Sequence, residues 1–211
     1  MFAAVRWGVL GVAKIATKKV IPAMQRSPLT PVRAIASRNL AKAQAAAAEL
    51  GIPKAYGSYE ELLADPDVDA IYNPLPNHLH VPWSIRAMES GKHVLCEKPI
   101  ALSVEETRQL IAVRDRTGMC AAEAFMVRVH PQWIRAREVI HSGRIGQLRA
   151  AYAHFSYFNN DPANIRNIPQ WGGGGLMDIG CYPIHVSRFV FGEEPVRAIG
   201  VMEHRRAARR R

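Results

Sequence analysis

The stretch VRWGVLGVAKIATKKVIPAMQ, residues 5–25, places a short apolar run, a glycine and a helical pattern in direct succession. Residues 5–10 are strand-like, Gly11 opens a turn, and residues 14–25 carry apolar side chains at helical spacing. The unit then repeats. Residues 32–36 (VRAIA) form a second apolar run, leading through SRN into an alanine-rich helix with Asn39 as its N-cap and Gly51 as its stop. A short helical piece, SYEELLADP, precedes the strand-like DAIYNPLP, and a helix over residues 81–90 ends at Gly91. KHVLCEKP supplies another strand. Ser103 and Glu106 are spaced as a capping box for a helix that stops at Gly118, and MCAAEAF closes the series as a strand. The runs are apolar throughout rather than alternating, so both faces of their sheet must be covered, which implies parallel strands. The expected architecture is α/β: a doubly wound parallel sheet of the Rossmann type over residues 1–123, followed by a truncated α+β domain over residues 124–211.

The second region has a different texture. It predicts a helix over 131–141, a turn at SGRIG, a strand at LRAAYAHFSYF (148–158), a helix ending near Gly192 and a strand at PVRAIGVM (195–202). One hairpin's worth of strand is too little for a covered sheet. The aromatics Phe155, Tyr157 and Phe158 are read as sheet packing.

Composition narrows the function. The 211 residues are 48% hydrophobic and 22% charged, ordinary for a globular protein. The formal charge is +10, but Arg205, Arg206, Arg209, Arg210 and Arg211 account for five of it, and removing them leaves +5. With neither a basic helix nor an aromatic RNA-binding pattern, nucleic acid is excluded as a partner. Cys96, Cys120 and Cys181 lack metal-ligand spacing, which implies no metal and reduced thiols in a cytoplasmic protein. Arg6 interrupts the apolar start, arguing against a signal peptide, and no apolar run reaches the ~18 residues of a membrane span.

Three constellations carry chemistry. The turn GVAKIA has small residues at Gly11, Ala13 and Ala16, where a dinucleotide fingerprint needs a tight turn, close approach of a pyrophosphate, and helix–strand packing. The alternative is an ordinary tight turn. About 20 residues on, where NAD sites carry an acid, the chain reads Ala36-Ser37-Arg38-Asn39. A hydroxyl and a guanidinium suit a 2′-phosphate, so NADP is the expected cofactor; a solvated Arg38 is the alternative. The segment CEKPIALS places Glu97, Lys98 and Pro99 at the carboxyl end of a strand, with Lys98 either solvated or aimed into the ligand edge. Finally, WGGGGLMDIGCYPIH spaces Asp178, Tyr182 and His185 at one helical turn behind four glycines. Asp178 as a helix cap, Tyr182 as core and His185 as a satisfied core histidine are the competing readings, and for His185 the core reading is preferred.

Taken together, the glycine turn, NPLPNHLH (73–80), E-K-P (97–99) and GGGLMDIGCYP resemble the Gfo/Idh/MocA oxidoreductases. The resemblance covers residues 3–202. Tyr182, four residues after Asp178, is similar to the branch containing glucose–fructose oxidoreductase, NADP-dependent xylose dehydrogenase and dimeric dihydrodiol dehydrogenase. It implies Lys98 as the catalytic lysine, Tyr182 as the proton-transferring acid/base and Asp178 as a binder of a substrate hydroxyl. It also implies Gly11, Ala13, Ser37 and Arg38 against the cofactor phosphates, and Asn77, His78 and Glu97 near the nicotinamide ribose. Pro99 would shape the Lys98 turn, through a cis bond. The implied activity is NADP-dependent hydride transfer with a sugar at C1 or a vicinal diol; the alternatives are an NDP-ketosugar reductase or a non-catalytic nucleotide-binding fragment. Full-length relatives are implied to be homo-oligomers with a larger second sheet, leaving this chain's own oligomeric state open. The ending HRRAARRR is accordingly read as a premature or frame-shifted end rather than a functional basic arm.

Overall fold

A computed structural model describes residues 3–202; the arginine-rich tail lies outside the described residues. Six strands make one sheet: β1 (Trp7–Leu10), β2 (Val32–Ala36), β3 (Lys54–Tyr56), β4 (Ala70–Asn73), β5 (His93–Cys96) and β6 (Ala121–Glu123). Every pairing is parallel, in the order β3-β2-β1-β4-β5-β6. This is the doubly wound arrangement that the apolar runs imply. The order reverses between β1 and β4, and the carboxyl ends of strands beside such a reversal are where ligands sit.

The central strands divide their side chains between two cores. Leu10, Ala36, Ile71 and Val94 pack on one face with Leu62, Met88 and Leu110, which come from α3 (Tyr59–Leu63), α4 (His80–Glu89) and α5 (Val104–Thr117). Val9, Ile35 and Tyr72 pack on the other with Ala16, Ile21, Ala46 and Ala47. Those belong to the first helix, a π-helical turn (Ala16–Val20) running into α1 (Ile21–Met24), and to α2 (Leu40–Leu50).

The helix boundaries follow their caps. The Asn39 side chain accepts from the Lys42 N–H, and Gly51 ends α2 at φ 64°. The Ser103 hydroxyl accepts from the Glu106 N–H at 3.1 Å, but Glu106 reaches back to the Leu102 N–H rather than to Ser103 itself. The three-residue strand β3 has no counterpart in the sequence reading. Pro53 before it and Gly57 after it leave too few residues for any periodicity.

By contact density the described chain divides into two compact units. The first comprises residues 3–126 and 155–181; the second comprises 127–154 and 182–202. Returning to the first unit, the chain makes short 3-10 turns at Ile165–Asn167 and Pro169–Trp171 and a π-helical turn at Leu176–Gly180. The second unit holds α6 (Pro131–His141) and all but the first residue of α7 (Cys181–Phe191). His141 Nε2 lies 3.2 Å from the Val190 carbonyl oxygen, and the Arg137 and Arg128 guanidinium groups lie over the Phe189 ring.

The two strands expected at 148–158 and 195–202 do not form, and no strand follows Glu123 among the described residues. Tyr152, Phe158, Val196, Ile199 and Val201 are largely exposed there. A strand, unlike a helix, cannot satisfy its own backbone groups and needs a neighbour to pair with. Phe155, Tyr157 and Phe158 are likewise exposed rather than packed in a sheet.

Candidate functional site

The candidate site lies in the first unit, where the turns after β1, β2, β4 and β5 meet the carboxyl edge of the sheet. Gly11 follows β1 with φ 82°, a conformation that favours glycine, and a Cβ there would sit 3.0 Å from Leu75. Its N–H donates to the Ala36 carbonyl at 2.7 Å, tying this turn to the end of β2. Ala13 is half-buried in the same turn, and its carbonyl accepts from the Thr17 N–H.

Ser37 and Arg38 follow β2. The Ser37 hydroxyl accepts from the Asn39 N–H, and Arg38 is exposed. Burial pushes the Tyr59 hydroxyl pKa up, and the neighbouring Arg38 guanidinium pulls against that, which places Arg38 beside Tyr59. The Tyr59 hydroxyl is in turn 3.7 Å from the position a Gly11 Cβ would take.

Asn77 and His78 form the 3-10 turn after β4 (Asn77–Leu79). Asn77 Nδ2 donates to the Gly172 carbonyl at 2.8 Å, and the His78 ring stacks on Trp171 with centroids 5.9 Å apart. His78 Nδ1 is buried without a hydrogen-bond partner. Such an atom can exchange a hydrogen bond with a water or a ligand.

Glu97 follows β5, and its Oε1 accepts from the buried Tyr72 hydroxyl at 2.5 Å. Burial, with Glu97 beside it, pushes the Tyr72 pKa far above the ordinary tyrosine value, so this hydroxyl remains a donor. The Lys98–Pro99 bond is cis, as the resemblance implies. Beyond it the Ile100 N–H donates to Glu123 Oε1 at 2.9 Å. Burial raises the Glu123 pKa against that bond.

Lys98 Nζ donates to the Asp178 main-chain carbonyl, and the Asp178 carboxylate lies 3.5 Å away at Oδ1; both side chains are mostly buried. Two further donors converge on the same carboxylate: Arg166 Nε at 3.0 Å from Oδ1 and the Tyr157 hydroxyl on Oδ2. Hydrogen bonding to Asp178, ahead of burial, raises the Tyr157 pKa. Asp178 is therefore engaged by three side chains rather than presented free. Tyr157 and Arg166 are the members of this cluster that the sequence reading missed, since one comes from irregular backbone and the other from a single 3-10 turn, neither with periodic spacing.

The glycine run has two roles. A Cβ on Gly172 would strike Leu102 at 2.6 Å, and one on Gly173 would strike the Arg166, Ile165 and Ile168 carbonyl oxygens at 2.7–2.8 Å. These two let the backbone fold tightly on itself. A Cβ on Gly174 or Gly175 would meet nothing within 4 Å, so these two leave open space. Asp178 sits in the π-helical turn that runs without interruption into α7, and Tyr182 is the second residue of α7, half-buried. His185 stacks on Phe189 at 6.4 Å, and burial, then Arg128 and Arg188, lowers its pKa.

Residues 5–125 match the oxidoreductase family with an NAD-binding Rossmann fold, GFO_IDH_MocA, and residues 133–210 match the GFO/IDH/MocA C-terminal domain. An uncharacterized oxidoreductase of Rhizobium meliloti is 53% identical over 199 residues, covering 94% of this chain and 60% of that protein. The NADP(+)-dependent D-xylose 1-dehydrogenase 2 of Haloferax volcanii is 46% identical, covering 88% and 57%. A crystal structure of a 3-ketoreductase from Actinomadura kijaniata, in complex with NADP and TDP-benzene, superposes with a TM-score of 0.84 at 38% identity, covering 89% of this chain and 57% of that one. Aldose-aldose oxidoreductase from Caulobacter crescentus, complexed with glycerol, gives 0.85 at 31% identity, covering 92% and 59%. The chain thus spans about 60% of the length of the relatives it matches. No helix among the described residues is long and apolar enough to cross a membrane.

Proposed function

The chain belongs to the Gfo/Idh/MocA oxidoreductase family, and from that premise we propose that it is an NADP-dependent oxidoreductase acting on a CH–OH group of a sugar or vicinal diol. The observation that carries this reading is Lys98. Its ammonium stands at the carboxyl edge of a parallel sheet, held by the Asp178 carbonyl and carboxylate.

The residues present fit the cofactor. Gly11 supplies the tight turn, Ala13 its small neighbour, and Ser37 with Arg38 the donors for a 2′-phosphate. Asn77, Glu97 and the unpartnered Nδ1 of His78 supply polar atoms where the nicotinamide ribose would lie. When bound, the nicotinamide supplies the hydride acceptor or donor. The protein's own part is the proton. A tyrosine of ordinary pKa near ~10 is a weak base at neutral pH, and a nearby ammonium favours its phenolate. In this reading Lys98 is that ammonium and Tyr182 takes the proton from the reacting hydroxyl. Asp178 holds the Lys98 ammonium in place and offers a lone pair on Oδ2 to a substrate hydroxyl beside Tyr157.

Similarity to the 3-ketoreductase supports a second reading, reduction of a nucleotide-linked ketosugar. Turnover of a free aldose decides for the first reading, and turnover restricted to nucleotide-linked sugars for the second. Fluorescence titration should show NADPH bound more tightly than NADH. Lys98→Ala and Tyr182→Phe should each cut turnover by about 10²–10⁴ with NADPH affinity nearly unchanged. Full activity in either variant removes that residue from the chemistry. NADPH binding without turnover on any sugar or diol leaves a non-catalytic nucleotide-binding chain.

A further inference from the structure

His80 opens α4 and is 1% exposed. Its Nδ1 lies 2.7 Å from the Pro99 carbonyl oxygen and its Nε2 2.6 Å from the Leu75 carbonyl oxygen. A carbonyl oxygen accepts and never donates, while neutral imidazole carries one N–H. Both contacts are hydrogen bonds only when the ring holds two protons. With one proton, a nitrogen lone pair faces a carbonyl lone pair at hydrogen-bond distance.

The setting gives this contact leverage. Pro99 follows Lys98 directly, and Leu75 belongs to the loop leading to Asn77 and His78. Buried Asn73 secures the same corner, its Nδ2 donating to the His80 carbonyl at 3.0 Å and to the Ser84 hydroxyl at 3.1 Å. His80 is thus the side chain that ties the Lys98 turn to the Leu75 loop. We propose that His80 is a positioning residue, a brace that closes on both carbonyls when it takes up its second proton and slackens on one of them when that proton leaves.

The proton exchanges with solvent. Burial lowers the His80 pKa, and the two carbonyls and Glu97, from the turn after β5, act against that. His78, from the 3-10 turn before α4, adds to the lowering. Glu97 and His78 are the titratable groups that face the ring from the elements around it. The brace therefore closes below the ordinary histidine value of ~6.5 and is half-made at neutral pH. Its effect on turnover rests on the reading of Lys98 given above, whereas the brace itself does not.

The test is a pH titration of the full chain labelled with ¹⁵N, followed by NMR of the histidine ring nitrogens, with His80 assigned through its own backbone. The expected result is conversion of His80 from a one-proton to a two-proton ring, with a midpoint below ~6.5, tracked by the Lys98 and Ile100 amide resonances. A nitrogen that stays unprotonated throughout the folded range, or amides that ignore the transition, overturns the proposal. In His80→Asn the amide transition should vanish, and kcat should fall about tenfold with NADPH affinity within about threefold. Parallel loss of both would show a merely structural residue and overturn the positioning role. If His80→Asn does not fold, the wild-type titration decides alone. Absence of any wild-type turnover would sink the enzymatic reading while the titration still judges the brace.

Discussion

Residues 3–126 and 127–202 carry comparable apolar side chains and use them differently. In the first stretch Val9, Leu10, Ile35, Ile71 and Tyr72 are fully buried between sheet and helices. In the second, among the described residues, only Val127, Phe189 and Val190 are buried apolar residues, and Val196, Ile199 and Val201 stand in the open. The helices α6 and α7 form in that stretch nonetheless. A helix closes its hydrogen bonds within itself, whereas a strand makes its ladder bonds only with a neighbour. Apolar content alone therefore makes helices in the second stretch, and no sheet.

The comparison can be broken at its strongest point first. Ile71→Ala, at a fully buried position of β4, should cost about 2–5 kcal/mol in urea unfolding. A much smaller loss would mean that the sheet core is not where stability resides. Gly173→Ala comes next. Its methyl would meet three carbonyl oxygens at 2.7–2.8 Å, and overpacking of this kind costs about 1–3 kcal/mol. The readout is local, faster amide exchange over residues 165–178, and unchanged exchange there would refute the tight turn.

A smaller effect separates the sheet's charged rim from its core. The Arg6 guanidinium, hydrogen-bonded to Asp69, holds that carboxyl down to about 2, below the ~3.9 of an unfolded chain. Because the folded value is depressed, the pair's stabilisation is present above ~3.9 and is lost as pH falls toward 2. Both side chains are 36% exposed, so solvent screening keeps the effect modest. Asp69→Asn should flatten the acid limb of a stability-versus-pH curve, and an unchanged limb would discard the pair. The smallest effect is expected at Ile199→Ser, an 87% exposed position, within about 0.5 kcal/mol. A cost like that at Ile71 would show residues 195–202 packed in solution.

The doubly wound sheet was legible because it repeats one local unit. Gly11, Asn39, Gly51, Ser103 and Gly118 punctuate it with residues whose backbone or side-chain chemistry marks an end. Only β3, three residues long, escaped. The site was legible where short motifs coincide, as with Lys98 next to a cis proline and Asn77 and His78 in a turn. Tyr157 and Arg166 were not legible, because their approach to Asp178 depends on an irregular segment and a single 3-10 turn whose path no periodicity records. Sheet packing, the role the sequence suggests for Tyr157, needs strands that the described residues do not form there.

By itself, the sequence determined the class of fold and the residues able to do chemistry. Local propensity, capping and glycine geometry act over a few residues, and the chain states them outright. Tertiary structure decided which of those residues share a charge. It brought Lys98, Tyr157 and Arg166 onto one carboxylate and set His80 between two carbonyl oxygens. It also decided which apolar runs became strands, because that outcome depends on a neighbour available for pairing and is not written in the run itself.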